Sequence, residues 1–139
     1  MKIALAALSA MEQQPAKLGV RDGRLMPCPN LPNCVCSYAE NPQHAIEPLR
    51  FSGSAREAMK KLERLVASQS RTNVVTIEDD YLHVEYTSAV FRFTDDVEFL
   101  LDEGQSVIHM RSASRIGFAD LGTNRNRLEK IRAAFEETS

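Results

Sequence analysis

Residues 73–111, NVVTIEDDYLHVEYTSAVFRFTDDVEFLLDEGQSVIHMR, decide the fold. Apolar and polar side chains alternate along this stretch, the period of a strand with one buried face, and turn residues interrupt it three times. Asn73–Glu78 and Tyr81–Thr87 flank Asp79-Asp80, a two-residue turn that pairs Ile77 with Leu82 and Val75 with Val84. A second two-residue turn at Ser88-Ala89 sets Tyr86 against Phe91, Val84 against Phe93 and Glu85 against Arg92. The third turn falls in Asp102–Gln105, with Gly104 taking positive φ. It opposes Phe99 to Ile108, Val97 to Met110, Glu98 to His109 and Asp96 to Arg111.

All three hairpins put the same residues on the same two faces. One face is apolar: Val75, Ile77, Leu82, Val84, Tyr86, Phe91, Phe93, Val97, Phe99, Ile108 and Met110. The other carries His83, Glu85, Arg92, Thr94, Asp96, Glu98, His109 and Arg111, which reads as a solvated face of cross-strand ion pairs. A slip of one residue would exchange the two.

Working outward, Ile46–Phe51 reads as a short strand, and Ser54 with Glu57 forms a capping box for a helix whose stripe is Ala58, Leu62, Leu65 and Val66. A final amphipathic helix runs from about Leu121 to Glu137 on Leu121, Leu128, Ile131 and Phe135. The predicted fold class is α+β: an antiparallel β meander with two helices packed on one face, in the order β-α-β-β-β-β-α. Before it, residues 12–44 hold Pro15, Pro27, Pro29, Pro32 and Pro42, a long ordered loop or wrapping arm rich in Cys and Pro. Residues 18–139 then form one domain, and 1–17 a flexible or signal-like N-terminus.

Composition excludes several function classes. The 139 residues carry a net charge of −2 and no Trp, which argues against nucleic acid as a partner. No apolar run is long enough to span a membrane. Lys2 followed by Ile3–Ala10 resembles the end of a secretion signal, and Leu8-Ser9-Ala10 the start of a lipoprotein cleavage box with Met11 where the lipidated Cys would stand. Membrane association through the N-terminus is one expectation, and a homodimer through an open edge strand another.

Two regions could hold chemistry. Asp95 falls on the apolar face, beside Leu82 and opposite Ser112, and a buried carboxylate needs a partner; Arg115 is within reach to fork onto it. Asp120 or Thr123 would cap the last helix, and Ser114, Arg115, Asn124 and Arg125 around a helix N-terminus suit an anion. Arginines in a first turn oppose the helix dipole unless an anion answers them. The expected ligand-binding residues are therefore Asp95, Ser114, Arg115, Asp120, Asn124 and Arg125. The second region is Cys28-Pro29-Asn30-Leu31-Pro32-Asn33-Cys34-Val35-Cys36. Cys28 and Cys34 can close a small disulfide loop, three thiolates with His44 can bind zinc in a spacing unlike the common modules, or the thiols stay free. The disulfide is the expectation carried forward, with no metal and no cofactor, and it favours an oxidising compartment such as the periplasm or cell envelope.

Taken in order, Cys28-Pro29-x-x-Pro32-Asn33-Cys34, His44, Pro48-Leu49, Phe93-x-Asp95-Asp96-Val97-Glu98-Phe99, Arg111-Ser112-Ala113-Ser114-Arg115-x-Gly117 and Asp120-Leu121-Gly122-x-Asn124-Arg125-x-Arg127 resemble the domain-of-unknown-function family 1499 of bacteria and plastids. The resemblance runs from about Leu18 to Arg132 and departs at Cys36, where the family usually has Ser. It implies a secreted or membrane-anchored setting and no known reaction. It also implies that the Asp95–Arg115–Asn124 region and the cysteine loop belong to one design. The leading expectation is a small envelope binding or accessory domain with an anion-accepting pocket near Arg115 and Arg125. The alternatives are an enzyme using Asp95 and Asp96 as acid and base, and a structural or interaction module.

Overall fold

The computed structural model describes residues 18–117 and 119–137. The signal-like segment 1–17 lies outside the described residues.

Four long strands form the expected meander: β5 (Thr72–Ile77), β6 (Tyr81–Thr87), β7 (Thr94–Asp102) and β8 (Val107–Ser114), each paired antiparallel with the next. Two short strands complete the sheet beyond β8. β3 (Cys34–Cys36) pairs with residues 111–113, and β4 (Leu49–Arg50) with 107–108, so together they make one interrupted edge. The expected strand over 46–51 is thus only two residues long. A separate ribbon, β1 (Val20–Arg21) with β2 (Arg24–Leu25), stands at the start of the arm.

The register agrees with the sequence at Ile77–Leu82 and departs elsewhere. A β-bulge at Val75 pairs Val74, not Val75, with Val84. β6 and β7 are joined by a six-residue loop over 88–93 rather than a two-residue turn, so Val84 faces Val97, Glu85 faces Asp96 and Tyr86 faces Asp95. The physical reason is a local closure: Phe93 N–H donates to Ser88 Oγ (2.9 Å), Ser88 N–H donates to Phe93 O (2.9 Å), and Arg92 takes a left-handed φ of 56°. The last hairpin moves by two positions, opposing Phe99 to Met110, Leu101 to Ile108, Glu98 to Arg111 and Asp96 to Ala113. There Glu103–Gln105 form a 3-10 turn, and Ser106 rather than Gly104 adopts the positive φ. A shift of two leaves every side chain on its face, which is why the apolar pattern survives the change.

Helices α1 (Ala55–Ala67) and α2 (Thr123–Glu137) pack on one face, as expected. Ser54 caps α1 by accepting from Glu57 N–H at 3.2 Å. Ala58, Met59, Leu62 and Val66 of α1 and Leu128, Ile131 and Phe135 of α2 share one core with Leu82, Val84, Tyr86, Val97, Phe99, Ile108 and Met110. Val75, Phe91 and Phe93 were expected in that core and are exposed, displaced by the bulge and the longer loop, while Ile77 keeps its expected pairing and is exposed at the end of edge strand β5. Leu121 precedes α2 instead of joining its stripe and is also exposed.

The larger correction concerns the opposite face. It is not solvated: His83, Asp96, Glu98 and Arg111 are all buried. The Cys/Pro arm lies across Glu98 and Arg111 and brings its own small cluster, in which Leu25 and Cys36 pack with Tyr81 and Leu100, and Cys28, Tyr38 and Ala39 pack against it. The domain therefore has three layers, helices, sheet and arm, with ion pairs sandwiched between the last two.

Candidate functional site

The arm is held by polar contacts because the sheet face beneath it is polar. Glu98 is fully buried; its carboxylate accepts from Gly19 N–H (2.7 Å), Tyr81 O–H (2.5 Å) and Arg111 Nη1 (3.3 Å). Arg111 in turn donates through Nη2 to Pro27 O at 3.3 Å. Burial, with the hydrogen bond to Glu98 added, pushes the Tyr81 hydroxyl far above its ordinary range, so it remains a donor. Further along, Ser37 Oγ lies 2.9 Å from His109 Nδ1 and from Met110 N, which donates to it. Tyr38 stacks on the His109 ring at 3.9 Å, and Arg24 lies over Tyr38.

Arg115 does not fork onto Asp95. It grips Asp96 through Nε (2.8 Å) and Nη2 (2.9 Å) and also donates to Glu85. The alternation of β7 explains the difference. Asp96 points to the arm side with Glu85 and His83, while Asp95 points to the helices. His83 Nε2 donates to Asp96 Oδ1 at 2.7 Å, completing a buried cluster of His83, Asp96, Arg115 and Glu85. Burial raises the Asp96 pKa, but the His83 and Arg115 hydrogen bonds outweigh it and hold the carboxyl below its usual range.

The partner of Asp95 is Arg127, at 2.8 Å, a residue that was not among the expected site positions. Its signal was available: Arg127 lies one helical turn after Asn124, so both face the sheet. Burial still raises the Asp95 pKa, and Arg127 only partly offsets it.

Asn124 is the hub that joins all three layers, and it is fully buried. Its Nδ2 donates to Asn33 O (3.1 Å) in the arm, Ser114 Oγ (3.0 Å) on β8 and Asp120 Oδ2 (2.6 Å). Its Oδ1 accepts from Ser112 Oγ (2.5 Å) and Arg127 Nη1 (3.0 Å). Asp120 caps α2, accepting from the N–H groups of Gly122 (2.9 Å) and Asn124 (3.1 Å). The anion that arginines near this helix start call for is thus the chain's own carboxylate. Arg125 swings away from it and donates to the backbone carbonyls of Ala45 (2.7 Å), Gln43 (3.2 Å) and Pro42 (3.4 Å).

The expected Cys28–Cys34 disulfide is present, with Cα atoms 5.6 Å apart, and Cys36 is a buried free thiol whose pKa burial raises. No group of His, Cys, Asp and Glu suited to a metal occurs among the described residues. Next to the disulfide, where the arm meets the start of α2, is a shallow groove of about 310 Å³ lined by Pro32, Cys34, Val35, Gln43, Asp120 and Arg125, with Leu121 at its rim. Asn33 and His44 flank these lining residues in sequence, and each holds a buried polar atom without a hydrogen-bond partner among the described residues, Asn33 Oδ1 and His44 Nε2. His44 Nδ1 donates to Cys34 O at 2.9 Å, which ties the ring to the disulfide strand. Of the six expected ligand residues, Asp120 and Arg125 line this groove, while Asp95, Ser114, Arg115 and Asn124 are tied into internal pairs.

A family model described as "Protein of unknown function (DUF1499)" matches residues 24–135. A search for similar curated proteins finds no match.

Proposed function

The chain belongs to the DUF1499 family, whose description names no reaction, and on that premise we propose that it is a non-catalytic binding or accessory domain of the cell envelope. Its ligand surface is the groove beside the Cys28–Cys34 disulfide, and the ligand is a small molecule or peptide side chain with an apolar body and one acidic group. One observation carries this reading: Asp95, Asp96, Glu98, Arg111, Arg115 and Arg127 of the family-like motifs are consumed in closed internal pairs, whereas the groove keeps an apolar floor with Arg125 on its wall and Asp120 turned to the helix cap. The motifs then act as clamps that set the groove's shape, and the anionic preference rests on Arg125 alone. The disulfide supports an oxidising compartment. The catalytic alternative is weakened by the same pairs. Asp96 is locked by His83 and Arg115, Asp95 by Arg127, and neither lines the groove.

The test is amide shift mapping with a panel of small carboxylates, phosphates and acidic peptides beside their neutral analogues. The reading predicts perturbations at Cys34, Val35, Gln43 and the amides of 119–122, for acidic members only, and their loss in Arg125→Gln. Perturbations centred on Asp95 and Asp96, or turnover of any panel member, would replace it with the catalytic reading.

A further inference from the structure

Seven large apolar side chains are exposed among the described residues, and four of them share one end of the sheet. Val90 (81%), Phe91 (72%) and Phe93 (40%) belong to the loop between β6 and β7, and Leu121 (95%) to the segment that follows β8. The two segments are joined at the sheet's end, where Arg115 N–H donates to Thr94 O at 3.2 Å. The loop is preformed rather than loose: Ser88 closes it by two hydrogen bonds to Phe93, and the Phe91 and Phe93 rings stack with centroids 5.6 Å apart. Rings held outward in this way lose little freedom when they enter another phase.

Backbone conformation at this end is unusual as well. Arg71, Arg92 and Leu121 all hold left-handed φ values, of 55°, 56° and 55°. A non-glycine residue there costs about 1 kcal/mol or more, and a leucine so exposed returns none of it through packing in the fold. Arg71 is fixed beside the loop, since its carbonyl accepts from Thr87 N–H (2.9 Å) and its Nε donates to Thr87 O (3.1 Å).

Charge divides along the same axis. The apolar end carries exposed Arg71 and Arg92, while its carboxylates, Glu85, Asp95, Asp96 and Asp120, are engaged by arginines or by the cap of α2. The opposite end carries the turns Glu78-Asp79-Asp80 and Asp102-Glu103. Aromatic rings beside exposed arginines at one pole, where the carboxylates are already engaged, match the headgroup region of a bilayer containing anionic lipid. A second copy of this chain fits less well, because a two-fold contact through this end would set Arg71 and Arg92 against their own equivalents.

We propose that the end of the sheet formed by Val90, Phe91, Phe93 and Leu121, with Arg71 and Arg92, docks onto an anionic membrane surface. Leu121 also stands at the rim of the groove beside Cys34, but Val90, Phe91, Phe93, Arg71 and Arg92 do not line it, so Arg125→Gln leaves the docking unchanged. The chain contains no Trp, so Phe91→Trp and, at the opposite end, Ile77→Trp each give a single tryptophan in the full chain, excited apart from its tyrosines. With phosphatidylglycerol-containing vesicles, the emission of Phe91→Trp moves to the blue and is quenched by brominated lipid, and that of Ile77→Trp does neither. Phe91→Ser with Leu121→Ser lowers the vesicle partition constant at least about tenfold, the scale for withdrawing one large apolar side chain from an apolar phase. Arg71→Gln with Arg92→Gln removes the preference over phosphatidylcholine vesicles. Both pairs change exposed side chains, and unaltered thermal melting checks that the fold is kept. Three results overturn the proposal: unchanged emission of Phe91→Trp, equal shifts at both reporters, or concentration-dependent self-association that Phe91→Ser abolishes without any response to vesicles.

Discussion

Replacing Glu98 by Gln separates a structural charge from a structural hydrogen bond. Gln keeps an acceptor for Gly19 N–H and Tyr81 O–H, so the arm can still lie where it does. What is lost is the negative charge facing Arg111, which is 4% exposed and has no other carboxylate partner among the described residues. If the pair were solvated, the change would cost no more than an ordinary hydrogen bond, about 0.5–1.5 kcal/mol. A cation stranded in the interior costs about 3–5 kcal/mol. A domain of this size has about 5–15 kcal/mol in hand, so Glu98→Gln stays folded and the loss can be read from urea unfolding at pH 7. Arg111→Met strands the carboxylate instead and falls in the same range. The double variant Glu98→Gln/Arg111→Met strands neither charge and recovers at least about 2 kcal/mol of the summed loss. Hydrogen exchange supplies the local reading, with the Gly19 amide protected in the parent chain and released first in Glu98→Gln. Single losses below about 1 kcal/mol that simply add would refute the reasoning, because they would mean that water reaches the face beneath the arm.

Three further outcomes follow from the same contacts. Cys28→Ser removes a cross-link closing a loop of sequence separation 6 and lowers stability by about 2 kcal/mol on the chain-entropy estimate; thiol titration of the parent chain in denaturant finds one free thiol before reduction and three after it. Asp96 has a lowered folded pKa, so its stabilisation is complete above the unfolded value of about 3.9 and lost as pH falls through the folded one. Asp96→Asn is therefore destabilised at neutral pH and shows a shallower acid limb than the parent, and parallel limbs would place the acid transition elsewhere. Leu121→Asn puts a residue tolerant of positive φ at a position without packing, and raises stability by up to about 1 kcal/mol in a thermal or urea melt; a clear loss would mean that Leu121 serves the fold.

The helices-on-meander architecture was legible because it depends on parity alone. Leu82, Val84, Val97, Phe99, Ile108 and Met110 keep their face whether the last hairpin pairs Phe99 with Ile108 or with Met110. Turn length does not share that insensitivity. Nothing in Ser88-Ala89-Val90-Phe91-Arg92-Phe93 announces a six-residue loop, because Val and Phe read as strand whether they pair or protrude, and here a serine side chain closes the loop. The buried polar face was misread for a different reason. His83, Glu85, Asp96, Glu98 and Arg111 form the same cross-strand pairs under water or under an arm, and local periodicity carries no record of a segment arriving from fifty to eighty residues away. The information was in the arm itself, where prolines, a disulfide and Asn33 make a segment too ordered to leave unpacked. Asp95 shows how the two kinds of error meet. Its burial follows from parity, but its partner depends on which layer it faces, and only the docking of α2 brings Arg127 rather than Arg115 to it. The motif residues of this chain are accordingly best understood by layer: Glu98 and Arg111 fasten sheet to arm, Asp96 and Arg115 tie strands within the sheet, Asp95 and Arg127 fasten sheet to helix, and Asn124 fastens all three. What these clamps leave outside is the groove beside the disulfide and the apolar end of the sheet, the two surfaces proposed to meet a ligand and a membrane.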